Sequence, residues 1–191
     1  LKTSLGHMSE QETWLGNSSD GVLAVGDNNH TTSANIGFAY QLGNNVLTLD
    51  YSKGFTDVNT TDNSLIKSFS DIETESYRMV YEIHKDIHTT FGWSFSLPSH
   101  VTSGTMDLEI AESVNLDGTI NFKDLSSNLK QDTKEKNIGF FYSYEPKNTF
   151  DASFNFSVEH RQDISGQDGN DGINFAMNLS LIHISEPTRP C

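Results

Sequence analysis

Period-two alternation of apolar and polar residues constrains this chain more than any other feature. In 31–42 one face carries Thr32, Ala34, Ile36, Phe38, Tyr40 and Leu42. The other carries Thr31, Ser33, Asn35, Gly37, Ala39 and Gln41. A helix repeats its faces about every 3.6 residues and cannot sort side chains this way, whereas a strand can. Gly43-Asn44-Asn45 then supplies a tight turn, and 46–55 alternates again, so the pair reads as a β-hairpin.

The pattern recurs in 73–84, 89–97, 105–111, 133–144, 149–161 and 172–178, with weaker versions in 8–15, 21–26 and 118–124. About eleven strands are expected, and no helix. Pro98 is expected to end the strand over 89–97. The connections 16–20, 43–45, 85–88, 112–117 and 145–148 fall at one end of such a meander. The connections 27–30, 56–72, 98–104, 125–132 and 162–171 fall at the other. The second set is longer and rich in Asp, Asn, Ser and Thr. An antiparallel up-and-down meander with short turns at one end and long loops at the other predicts an outer-membrane β-barrel. With 8–15 starting at the loop end, an even strand count requires one more strand before Leu1. The expected fold is therefore all-β and twelve-stranded, with the chain an internal fragment.

Alternation alone does not exclude a soluble sandwich. The polar face argues for the barrel, because it is small and mostly uncharged: Ser33, Asn35, Gly37, Ser52, Gly54, Gly92, Ser94, Gly139 and Ser157. Such residues pack into a barrel interior, whereas a solvated sandwich face favours long charged side chains. The apolar face places Tyr40, Phe55, Tyr77, Phe91, Tyr144 and Phe150 near strand ends, as interfacial aromatics would sit. On this reading Ile36, Phe38, Leu49, Tyr81, Trp93, Phe154 and Phe156 face lipid. Asn35, Asp50, Arg78, Glu82, Asp151, Glu159 and Arg161 face the lumen, with Asp107 and Glu109 as further lumen charges and Ser94 and Asn155 on the same side.

Charge and composition remove other classes. The net charge of −14 leaves no basic footprint for nucleic acid. No apolar run reaches the roughly 18 residues of a membrane-spanning helix. The single cysteine, Cys191, excludes a disulfide framework. No secretory signal opens the sequence at Leu1. The histidines His84 and His88 flank a turn and lack the spacing of a helical zinc pair. Asp163, Asp168, Asn170 and Asp171 form an acidic loop without EF-hand spacing. Asn17, Asn29, Asn59 and Asn155 head glycosylation sequons that carry no meaning in a bacterial protein. No catalytic, cofactor or metal residue is assigned.

Two resemblances follow. Residues 179–190, Leu-Ser-Leu-Ile-His-Ile-Ser-Glu-Pro-Thr-Arg-Pro, resemble the translation of a transposase adaptor used in preparing sequencing libraries. That implies a single domain over 1–178, a non-native tail over 179–191, and a metagenomic source. The second resemblance rests on Leu5-Gly6-His7-Met8-Ser9-Glu10-Gln11-Glu12-Thr13-Trp14-Leu15-Gly16-Asn17-Ser18-Ser19-Asp20-Gly21, on Ser96-Leu97-Pro98 followed by Gly104, and on the strand pair 133–161 with 172–178. These segments resemble the C-terminal β domain of subtilisin-like autotransporter proteases. The resemblance implies a translocator and anchor in the outer membrane of a Gram-negative bacterium. It also implies an upstream passenger, a serine protease, and insertion by the barrel assembly machinery. It departs from the family in holding no protease segment and no nucleophile elbow, so no catalysis is expected in this chain. The competing expectations are a soluble binding or adhesin module at the cell surface, and another outer-membrane barrel such as a porin or a lipid hydrolase.

Overall fold

A computed structural model describes residues 1–182 apart from 12, 16, 19–22, 27, 63 and 146–150. Phe150 and the tail from 183 onward lie outside the described residues, as does the side chain of Asp151. The chain forms antiparallel strands and one short 3-10 turn at Ile164–Gly166. The strands are β1 (Lys2–Glu10), β2 (Thr13–Trp14), β3 (Asn17–Ser18), β4 (Asn29–Leu42), β5 (Asn45–Asp57), β6 (Ile66–Phe69) and β7 (Ile72–His84). They continue with β8 (Thr89–Ser103), β9 (Thr105–Val114), β10 (Ile120–Asn128), β11 (Lys136–Tyr144), β12 (Asp151–Gln162) and β13 (Gly172–Ile182).

The all-β antiparallel architecture expected from alternation is present, but it is divided. Eight strands make one sheet in the order β1-β4-β5-β7-β8-β11-β12-β13. A second sheet, β10-β9-β6, stands at the loop end, and β2 pairs with β3 beside it. The expected run of eleven strands in one meander is thereby corrected. The segments 105–111 and 118–124 leave the main sheet as the hairpin β9–β10, and β8 pairs directly with β11. Residue Val25 makes only an isolated bridge to Thr60. The loop 56–72 contains β6, which alternation had not marked because the strand is only four residues long.

The first strand is also shifted. It runs over Lys2–Glu10 rather than 8–15, and it climbs from the turn end to the loop end against β4. The last strand descends from Gly172 and continues through Leu179–Ile182, which pair with Phe154, Ser153, Ala152 and Asp151. The apolar residues of the adaptor-like segment thus extend the ladder. The eight-stranded sheet is open: among the described residues β1 pairs with β4 only, and β13 with β12 only.

Local chemistry explains the joints. Gly43 takes φ 63, in the left-handed region that glycine enters without steric cost, and Leu42 pairs with Asn45 across it. Pro98 does not end its strand. Glu75 pairs with His100 and Tyr77 with Leu97, so Pro98 and Ser99 together oppose Ser76 in a β-bulge. On the other side β11 pairs with β8 only as far as Ser96. A residue without an N–H is tolerated at such a bulge on a free edge. Beyond it β8 continues to Ser103 and turns into β9 at Gly104, whose φ of 148 again suits glycine.

The core lies at the loop end. Val25, Val58, Ile66 and Ile72 are buried there, with Leu15, Phe69, Val101, Met106, Leu108 and Leu129 packed against them. Asn29 is fully buried beside this cluster. Its Nδ2 donates to the carbonyls of Thr13 and Gly26, and its Oδ1 accepts from the Asn59 N–H at 2.7 Å. These residues form a cap that joins the loops 11–28 and 58–65 to the ends of β7, β8 and β9.

Candidate functional site

One row of paired residues crosses all eight strands of the main sheet: Lys2, Gly37, Asp50, Arg78, Ser96, Asn137, Arg161 and Gly172. Side chains two residues apart share a face, so this row fixes the facing of every other position. Asn35, Asp50, Arg78, Glu82, Ser94, Asn155, Glu159 and Arg161 all stand on its face.

Ile36, Phe38, Leu49, Tyr81, Trp93, Phe154 and Phe156 all stand on the opposite face. The pairs Phe38–Leu49, Leu49–Met79, Tyr81–Trp93, Trp93–Phe140 and Phe140–Val158 run across it in register. The Trp93 and Phe140 rings meet edge-on with centroids 5.0 Å apart. Tyr51 and Tyr77 are 4.9 Å apart. Among the described residues nothing covers this face: Ile36 is 52% exposed, Trp93 56%, Ile138 55% and Phe175 72%.

Charged residues bound the apolar face. Toward the loop end Lys53 pairs with Glu73 at 2.9 Å, and the Tyr77 hydroxyl donates to Glu75 at 2.9 Å. At the turn end stand Lys85 and Asp86, with Asp86 Oδ1 accepting the N–H groups of His88 and Thr89 at 2.8 Å. These bonds stabilise the ionised form and hold the Asp86 carboxyl below its usual range. Glu75 on β7 and Lys85, the first residue after it, are ten positions apart. At about 3.4 Å per residue and a tilt near 40°, that separation spans about 25 Å, the height of the apolar band of an outer-membrane barrel. Tyr77 lies at one margin of this band and Tyr144 at the other. Tyr40 and Phe91 sit within it, and Phe55 lies beyond Lys53, whose ammonium is 5.2 Å from its ring.

The stagger of the strands supplies the tilt. Lys2 and Gly172 share the crossing row. The midpoint of β1, Gly6, lies four residues above it, and the midpoint of β13, Met177, lies five below. In between, the midpoints fall except from β7 to β8, whose midpoints Arg78 and Ser96 both lie on the row. Nine residues over seven steps is about 1.3 residues per step, equivalent to a tilt of about 40° for strands about 4.8 Å apart. Barrels fall at 35–45°.

The polar face is lined by small residues and is concave enough to hold a groove of about 500 Å³ among Lys2, Ser4, Asn35, Asp50, Ser52, Ser76, Arg78 and Ser96. Phe141 lies over Gly92, where an added Cβ would meet its ring at 2.6 Å. Arg161 stands on the same face at the loop end of β12. Its Nε and Nη2 donate to Glu135 Oε1 at 2.9 and 2.7 Å, while the Ser165 N–H donates to Oε2. Burial pushes the Glu135 carboxyl up, but the Ser165 N–H and the Arg161 guanidinium outweigh it, so its pKa lies below the usual value. Alternation could not reveal Glu135, because it lies in the connection before β11.

Asp107 and Glu109 are elsewhere than expected. They stand on the exposed polar side of the three-stranded sheet, where Asp107 accepts from Ser68 and Glu109 pairs with Lys67 at 2.8 Å. They therefore cannot meet Arg78 or Glu82. The loop 163–171 spends its carboxylates on its own backbone: Asp163 Oδ1 accepts the Gly169 N–H and Asp171 Oδ1 accepts the Asp163 N–H. His84 bonds to Thr90 at 2.9 Å. Among the described residues no three His, Cys, Asp or Glu are grouped as metal ligands would be. No protein family, curated protein or solved structure matches the chain.

Proposed function

We propose that the eight-stranded sheet is wall of an outer-membrane β-barrel, with the apolar face against lipid and the small-residue face against the lumen. One observation carries this reading: an exposed apolar band about 25 Å tall crosses seven of the eight strands, from β4 to β13, between charged margins, and reaches β1 at Leu5 alone. A monomer in water rarely exposes an apolar patch beyond a few hundred Å². Irregular backbone is confined to the ends of the strands, as lipid demands. The loop-end cap, with its own buried core, then stands in water outside the membrane.

In this reading the wall anchors a passenger that precedes it, in line with the resemblance to autotransporter β domains, and performs no catalysis. Its partners are outer-membrane lipid, the passenger and the barrel assembly machinery. The sheet holds eight strands, four short of the twelve that the resemblance implies. The test is detergent dependence. The purified chain should be monodisperse in detergent micelles and should aggregate on detergent removal unless lipid vesicles are supplied. A chain that stays monomeric and folded in plain buffer is instead a soluble surface module.

A further inference from the structure

We infer that β1 and β13 are the two sides of one seam, and that in the membrane they pair directly and close the sheet as an eight-stranded barrel. The inference rests on the membrane-wall reading above. Four observations carry it. First, β1 runs toward the loop end and β13 runs away from it, so the two are antiparallel, as direct pairing requires. Second, neither strand has a strand partner on its outer edge among the described residues, and lipid does not tolerate an open sheet edge.

Third, the stagger fits. About 1.3 residues per step, carried round eight strands, requires a displacement of about ten at the seam. In the frame of the crossing row β1 lies entirely on the loop side and β13 entirely on the turn side, so a displacement of ten brings Ser4–Glu10 against Asn174–Ser180. Fourth, the displacement is even, so it keeps the faces in step. Met8 comes opposite Ala176 and Glu10 opposite Asn174 on the lumen face, while Leu5 comes opposite Leu179 on the lipid face. An odd displacement would turn Phe175 and Met177 into the lumen.

The consequence concerns mechanism. An eight-stranded interior is just wide enough to be filled by its own side chains. Phe141, Arg78, Glu82, Glu159 and Arg161 would then converge across the groove, and the barrel would anchor a passenger without offering it an open channel.

The test is cross-linking in the full 191-residue chain with Cys191→Ser, inserted into phosphatidylcholine vesicles. Met8→Cys with Ala176→Cys should form an intramolecular disulfide on oxidation, read as a monomer of altered mobility on a non-reducing gel. Met8→Cys with Phe175→Cys, on opposite faces, should remain mostly reduced. In the unsubstituted chain the amides of β1 and β13 should be as slow to exchange as those of β5 and β7. Cross-links only between molecules would mean a second copy pairs at the seam. Fast-exchanging edge amides in inserted protein, without cross-links, would mean an open seam. Slow amides without cross-links would mean further strands between β1 and β13. Each of these overturns the closure and leaves the membrane reading intact. A chain that does not insert overturns both.

Discussion

The eight-stranded sheet and the loop-end cap are built from the same kind of alternating strand, yet they turn their apolar residues opposite ways. In the cap Val25, Val58, Ile66 and Ile72 face one another and are removed from water. In the sheet Phe38, Trp93, Ile138 and Phe175 face outward with nothing over them. Their polar neighbours are Gly92, Ser94 and Gly139 on the inside. One chain obeying one physical rule would do both only where the solvent differs. On the proposed reading the cap is ordered by the hydrophobic effect in water, and the sheet by backbone pairing in an apolar medium. β7 and β8 belong to both regions: Ile72 is their cap end, and Met79 and Phe95 are their band.

Substitutions can break this comparison from either side. The largest effect is expected in the cap. Ile72→Ala, at a site with no exposure, should cost about 2–5 kcal/mol of local stability, read as faster proteolysis of the loop end. The band should survive it. Next comes the band itself. Phe38→Arg should cost about 2–4 kcal/mol in lipid, measured by denaturant titration of the inserted protein, with Asn35→Arg costing much less. Equal tolerance at the two positions would remove the distinction between faces. Asn29→Ala should cost about 1–3 kcal/mol, because the Asn59 N–H and the Thr13 and Gly26 carbonyls lose their buried partner. That loss should again be confined to the cap.

The smallest effect is a pH dependence at the boundary between the regions. Glu135 has a folded pKa below the usual 4.5. Its stabilisation is therefore full above that unfolded value and is lost as pH falls through the lower folded one. Protection of the 163–171 amides, taken relative to their intrinsic exchange rate at each pH, should fall as the pH drops below the mid-fours, and Glu135→Gln should flatten that response. An unchanged response in the variant would remove Glu135 as the clamp on Arg161.

Much of the sheet was legible in the sequence. Seven of its strands carry alternation that reads directly from positions such as 36, 38 and 40 or 91, 93 and 95. Parity sorted the named residues of the main sheet onto two faces, but it misplaced Asp107 and Glu109, which belong to the three-stranded sheet. The cap was not legible. Val25, Val58 and Ile66 are single apolar residues in polar stretches, and only long-range packing brings them together. The strands β9 and β10 alternate like the rest, and periodicity cannot tell which sheet a strand will join. Pro98 misled because a proline ends a strand only where its N–H is required, and the bulge beside Ser76 removes that requirement. β1 was misplaced by its faint pattern, in which Leu5 is followed by Gly6 and His7, and that error reversed the parity of the strand count.

The most direct test of the two-solvent account is the position of Trp93, at the middle of the band and 56% exposed. In a chain carrying Trp14→Phe, Trp93 is the only indole. Its fluorescence in vesicles should be blue-shifted, strongly quenched by lipids brominated along the acyl chain, and unaffected by aqueous iodide. Iodide quenching with no effect of the brominated lipids would place the apolar face in water and contradict the account.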